Sequence, residues 1–196
     1  MVKPKLSYEG KIKMARPRKF DEADVKSALR DVFWEHGYEG ASYANIMKAT
    51  GLNKGSLYAS FGDKRALYQH AISDYNALYV SGGVKMLRDG SLSAKDRISN
   101  LFATHINAAE TPQGRWGCLL CNAAIDQAPF DKDVEDKVSA SISRLRNAIE
   151  HCLKGTTAQD KADLIWISYF GAHVMVKAGY SKSVFKKVQK DVLSLF

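Results

Sequence analysis

Residues 42–64 read SYANIMKATGLNKGSLYASFGDK, and this stretch decides the fold. It divides into a short helix, a glycine-marked turn and a second short helix that ends on an aromatic. The Ser42 hydroxyl is placed to cap the first helix, and Ile46 and Ala49 face inward from it at helical spacing. Gly51 supplies the backbone freedom of the turn, and Asn53 caps the second helix. With Leu57 and Phe61 on the buried side, Lys54, Gly55, Ser56, Tyr58, Ala59 and Ser60 are left outside. Small, polar and basic groups on one short helix suit a DNA major groove, about 12 Å wide.

Upstream, Asp21 caps helix 1, and Phe20 and Val25 form a hydrophobic staple across its start. Val25, Ala28, Leu29, Val32 and Phe33 make its apolar stripe, and Gly37 ends it. Downstream, Asp63 caps a long helix 4 that carries Ala66, Leu67, His70, Ala71, Asp74, Leu78 and Tyr79. Gly82-Gly83 weakens its far end, as a stop, a kink or a hinge. Helices 5 to 9 are expected over about 94–109, 116–128, 131–153, 159–178 and 182–195. No strand pattern, internal repeat or low-complexity segment competes, so the chain reads as all-α.

The length of 196 residues and an apolar content of 45% provide material for a folded core. The net charge of +8 is concentrated early: within residues 1–19, Lys3, Lys5, Lys11, Lys13, Arg16, Arg18 and Lys19 face Glu9 alone. Such a segment is either a solvated lead-in or an arm for a polyanion. Met14 opens the phrase MARPRKFD and is a candidate alternative start. No secretory signal is visible, since no apolar run comes after the basic start. The best membrane candidate, Leu164 to Val176, has thirteen residues. A spanning helix needs about 20, so the stretch reads as a buried helix of a soluble protein. Cys118, Cys121 and Cys152 are too few for a disulfide framework and fit a reducing cytoplasm.

The first third resembles the DNA-binding domain of the TetR/AcrR family of bacterial regulators. The resemblance rests on Gly37-Tyr38-Glu39, Ser42, Ile46, the run Thr50-Gly51-Leu52-Asn53-Lys54-Gly55-Ser56-Leu57-Tyr58, Phe61 and Asp63-Lys64-Arg65-Ala66-Leu67-Tyr68. Gly117-Cys118-Leu119-Leu120 is similar to a phrase in a subset of the family's ligand domains. The resemblance implies a nine-helix TetR-like fold. Its parts are a basic arm (1–19), a three-helix helix-turn-helix domain (20–66) and a helical ligand-binding and dimerisation domain (67–196). It implies a homodimer through helices 8 and 9, double-stranded operator DNA as partner, and a small-molecule effector that releases the DNA.

The chemistry of the residues agrees with those roles. Ser42 and the start of helix 2 can hold a phosphate. Lys54 suits a phosphate or a guanine edge, Gly55 lets the backbone approach, Ser56 reaches a base or phosphate, and Tyr58 offers a hydroxyl and a ring. Lys64 is a phosphate clamp at the start of helix 4. Tyr43 either contacts a base or packs against helix 1. Ala41 and Ser60 depart from the family's usual Thr and His, which moves affinity toward phosphates and shape readout. The arm at Arg16-Pro17-Arg18-Lys19 is a candidate minor-groove contact.

For the effector, the candidate lining is Phe102, His105, Trp116, Cys121, Asn122, Tyr169 and His173, with Tyr75 and Met175 nearby. Each alone also fits an ordinary helical core. Cys118 and Cys121 share a helical face and are a candidate redox or electrophile sensor, with Arg115 and the helix start acting on the Cys118 thiol. They lack the partners of a zinc site, so no metal or cofactor is expected. A thiol oxidoreductase would rest on this cysteine pair alone. An architectural DNA-binding protein would leave residues 67–196 with a solid core.

Overall fold

The computed structural model describes residues 20–196; the arm at 1–19, its minor-groove contact and the Met14 start lie outside the described residues. All regular structure among the described residues is helical. Helix α1 (Glu22–Gly40) starts where the Asp21 carboxylate accepts from the Ala23 N–H at 2.8 Å, with Glu22 and Asp24 in its first turn favoured by the helix dipole. Its regular part stops at Gly37, whose φ is 70°. Helix α2 (Tyr43–Thr50) is capped by Ser42, whose Oγ accepts from the Asn45 N–H at 3.1 Å. Gly51 then takes φ 68°, a conformation costly for any residue with a Cβ. Helix α3 (Lys54–Phe61) is capped by Asn53, which accepts from the Ser56 N–H at 2.8 Å. In this head Val25, Leu29, Phe33, Ile46, Leu57 and Phe61 are buried together. Ala49 is exposed rather than inward; with eight residues in α2, Ile46 alone is fully buried against α1 and α3.

Asp63 caps the next helix through the Ala66 N–H at 2.8 Å. We treat this helix as one rod, α4: an α-helical part Lys64–Tyr75, a π turn Asn76–Val80 and an α-helical end Ser81–Leu87. Before the π turn, Leu67, Tyr68, Ala71, Ile72 and Tyr75 are buried. The π turn inserts extra chain into the helical repeat and rotates the downstream end of the rod. Val80 is therefore buried, while Leu78 and Tyr79 are 55% and 42% exposed. Gly82-Gly83 does not stop the rod, since the helix runs on to Leu87. Gly83 packs closely on Leu145: a Cβ there would stand 3.2 Å from Leu145 Cδ1, which would have to give slightly.

The remaining helices are α5 (Ala94–Ala108), α6 (Leu119–Asp126), α7 (Lys132–Leu153), α8 (Ala162–Lys177) and α9 (Lys182–Leu193). Two expected starts move. Trp116 lies in a 3-10 turn, Gly114–Trp116, and Gly117 at φ 79° breaks the chain, so α6 begins at Leu119. Residues Gln159–Lys161 are likewise a 3-10 turn, which delays α8 to Ala162. No helix among the described residues is long and apolar enough to cross a membrane. The stretch Leu164 to Val176 is not buried all round: Leu164, Ile167, Val174 and Met175 are exposed, while Ile165, Ala172 and Val176 face the interior.

Two apolar cores result. One joins α1–α3 and the first part of α4 to α6 and the start of α7; the other joins the end of α4 to α5, α7, α8 and α9. The first core runs across the junction between the head and the domain behind it.

Candidate functional site

Helices α2 and α3 present one polar face. Ser42 and Asn53 are exposed at the two helix starts, and Lys54, Gly55, Tyr58 and Ala59 are exposed along α3, with Ser56 and Ser60 half-buried. Tyr43 at the start of α2 bridges the helices. Its hydroxyl donates to the Tyr58 hydroxyl at 3.1 Å, and the two rings stack with centroids 5.9 Å apart. The Lys54 ammonium lies 4.6 Å from the Tyr43 ring centroid and 5.9 Å from that of Tyr58. Partial burial and the Tyr58 hydrogen bond push the Tyr43 phenol up to about 12, so it stays neutral at physiological pH. A lysine at a helix start opposes the helix dipole; stacking on two rings holds it there as an outward positive point. Lys64 is turned back, its Nζ donating to the Glu39 carbonyl at 3.4 Å over the Tyr38 ring. The face thus offers a cation, hydroxyls and two helix starts at its edges, the set that phosphates and base edges accept.

Behind the head lies a cavity of about 530 Å³. Of the residues expected there, Tyr75 (α4), His105 (α5), Tyr169 and His173 (α8) line it, while Met175 is exposed outside it. Phe102 stands behind Tyr169, ring centroids 5.6 Å apart. Trp116 packs on Trp34 at 5.6 Å, and Cys121 and Asn122 face a separate outer groove beside Ile125 and Val174. Burial lowers His105 to about 4 and His173 well below its ordinary value, so both rings are neutral. Sequence patterns missed other parts of the wall: Arg30, Asp31 and Trp34 of α1, and Tyr79 of α4. Arg30 falls one residue after Leu29 on the buried side of α1 and is 8% exposed.

The cavity abuts the contacts that tie the head to the rear. Trp34 Nε1 donates to the Gly117 carbonyl at 3.1 Å. The Tyr38 N–H donates to Asp126 at 3.3 Å, and burial pushes that carboxyl up. Arg65 spans from α4 to Asp131 and Asp133 at the start of α7. Cys118, next to Gly117, is buried and takes a hydrogen bond from the Tyr75 hydroxyl at 3.5 Å. The Cys121 thiol, then Tyr75 and the N–H groups of Cys121 and Leu120, hold Cys118 down to about 7 against the effect of burial, while Cys121 is pushed up. The lowering therefore comes from these donors rather than chiefly from Arg115. Among the described residues no cluster of three or more His, Cys, Asp or Glu is placed to hold a metal.

The profile described as "Bacterial regulatory proteins, tetR family" matches residues 27–71. The chain is 32% identical over 152 residues to the HTH-type transcriptional regulator YezE of Bacillus subtilis (strain 168), covering 77% of this chain and 76% of that one. A cysteine mutant of the TetR family transcriptional regulator CifR, solved with 26-bp double-strand operator DNA, superposes with a TM-score of 0.77 at 28% identity, over 91% of this chain and 98% of that one. A TetR transcriptional regulator from Chloroflexus aurantiacus J-10-FL shares the fold, with a TM-score of 0.73 at 24% identity over 87% and 90% of the two chains. The capped α2–α3 pair, the order of the nine helices among the described residues and these likenesses agree: the chain belongs to the TetR family of bacterial DNA-binding transcriptional regulators.

Proposed function

We propose that this regulator is a repressor, that residues 20–66 read operator DNA, and that a small molecule in the cavity of the domain at 67–196 releases it. Ser42, Tyr43, Asn53, Lys54, Gly55, Ser56, Tyr58, Ala59, Ser60 and Lys64 form the DNA face, with Lys54, Tyr43 and Tyr58 acting as one stacked unit. Lys64 joins the phosphate contacts by leaving the Glu39 carbonyl. The observation that carries the release step is the cavity wall. Arg30, Asp31 and Trp34 belong to α1, the helix on which α2 and the first part of α4 pack. An occupant therefore touches the head itself and needs no distant relay. Coupling of about 1–3 kcal/mol between the sites changes DNA affinity roughly 5- to 150-fold.

The test begins with selection of bound DNA, and compounds are then titrated against the complex. Thr104, on the cavity wall, is replaced by Trp to fill the space. The expected result is release of the wild type and a retained, compound-insensitive complex for Thr104→Trp. Release that is equal in both proteins overturns the reading.

Two half-sites about 34–36 Å apart require two heads. Leu164, Ile167, Val174 and Met175 on α8 and Val184 on α9 form an exposed apolar face, and we assign to it the pairing of two chains. Ile167→Glu is expected to yield monomers in sedimentation and to weaken operator binding strongly. A dimer that survives this substitution places the pairing elsewhere.

A second trigger is favoured by one observation: Cys118, with its lowered thiol, is the residue after the Trp34–Gly117 hydrogen bond. An electrophile or oxidant acting at Cys118, with Cys121 at hand, would strain the head-to-rear contact. Cys118→Ser is expected to abolish oxidant-induced release of DNA; a normal response ends this reading.

A further inference from the structure

The ionic groups at the cavity mouth do not balance. Arg30 gives Nε to Asp31 at 2.8 Å, Nη1 to Asp74 at 2.9 Å and Nη2 to Ser27 at 3.0 Å. One guanidinium, 10% exposed, thus faces two carboxylates, of which Asp31 is the more open at 37%. Among the described residues, Arg30 and Asp31 are the only charged side chains of the wall. Its histidines are neutral. No cation is free to receive an anionic ligand, and one carboxylate is in excess. Burying an unpaired anion here is costly, whereas a cation meets Asp31 and aromatic rings. The Arg30 guanidinium already lies 5.8 Å over the Tyr79 ring.

We propose that the cavity binds a lipophilic organic monocation, its charge beside Asp31 and the rings of Trp34 and Tyr79, its apolar body toward Met86, Leu101 and Tyr169. This assignment rests on the cavity being the effector site, and it gives that effector a chemical class. The chain as a whole argues the other way, because a net charge of +8 draws anions. A preference for cations must therefore come from the cavity.

The test uses two ions of matched shape and opposite charge, tetraphenylphosphonium and tetraphenylborate, titrated calorimetrically into the full chain. The cation is expected to bind at one site per chain and the anion about tenfold or more weakly. Asp31→Asn keeps an oxygen for the Arg30 Nε and is expected to weaken the cation about five- to tenfold. Asp31→Glu, which keeps the charge, is expected to retain cation binding, and this separates charge from damage to the fold. Thr104→Trp is expected to remove binding. Equal or tighter anion binding, a cation affinity unmoved by Asp31→Asn, or binding that survives Thr104→Trp overturns the proposal. DNA release is read separately. A cation that binds with the stated preference and leaves the operator bound upholds the charge assignment and defeats the effector reading. An anion or neutral compound that releases DNA through the cavity does the reverse.

Discussion

The head and the domain behind it are both built from helices, but they are held in different ways. In the head, each helix start has its own side-chain cap: Asp21 on Ala23, Ser42 on Asn45, Asn53 on Ser56. In the rear, α5 and α7 keep such caps through Ser93 and Asp131, but α8 and α9 start with no side-chain cap bond, and α8 leaves Leu164 and Ile167 uncovered. An eight-residue helix is not stable alone, so α2 and α3 depend on their caps, their turn and a few buried side chains. The longer rear helices are held by the faces they bury, and such faces tolerate a gap between them. The first kind of construction suits the proposed reading surface; the second suits the proposed effector cavity.

The sharpest way to break this comparison is to cut equal side chains from the two regions. Leu57 is fully buried in the small core of the head, while Leu78 stands 55% exposed at the cavity mouth. Leu57→Ala is expected to cost about 2–5 kcal/mol in urea denaturation and to take DNA binding with it. Leu78→Ala is expected to stay within about 0.5 kcal/mol. Equal losses would mean that the cavity is as tightly packed as the head.

Next in size is the joint between the regions. Trp34→Phe keeps an aromatic ring among Tyr75, Tyr79 and Trp116 but removes the donor to the buried Gly117 carbonyl. An unsatisfied buried carbonyl costs about 1–3 kcal/mol. The expected outcome is a lower thermal midpoint together with a weaker effect of ligand on DNA affinity. A variant with full ligand response would place the coupling in Arg65 or Asp126 instead.

A smaller effect, confined to the head, is expected at Lys54, whose ammonium is exposed and stacked on Tyr43 and Tyr58. Lys54→Ala should leave the denaturation midpoint within about 0.5 kcal/mol. It should weaken binding to all DNA sequences alike and reduce the salt slope by about 1. Loss at one base position only would make Lys54 a base reader rather than a phosphate contact.

The same division governs what was legible before the structure. Caps and turns are local, so Asp21, Ser42, Gly51, Asn53 and Asp63 stand where their types and spacing place them. The helix order of the rear was legible too, because its apolar repeats are long. Its interior was not. The π turn at Asn76–Val80 leaves no mark in the apolar pattern, yet it turns Leu78 and Tyr79 out to the cavity mouth. A cavity is packing that is missing, and no residue type encodes that. Its two charged groups among the described residues also come from α1, where Arg30, Asp31 and Trp34 look like ordinary members of a helical face. Phe102 and Trp116 are aromatic as expected of a lining, but each packs against another ring instead, Tyr169 and Trp34.

The smallest effect at neutral pH, and the one that isolates the outer edge of the joint, belongs to Arg65. Its Nη2 donates to Asp131 at 2.8 Å and to Asp133 at 2.6 Å. The Arg65 hydrogen bond, ahead of the N–H groups of Val134 and Asp133, holds the Asp131 carboxyl down to about 2. In the unfolded chain an aspartate titrates near 3.9. The folded value is the lower one, so the pair's contribution is complete above about pH 4 and is lost as pH falls toward 2. Arg65→Gln should therefore change the thermal midpoint little at about pH 2 and below, and lower it modestly at pH 7, where the wild type keeps its charged pair. A difference between the two proteins that grows on acidification has the wrong sign for this linkage. It would show that Arg65 acts through its packing on the start of α7 rather than through Asp131.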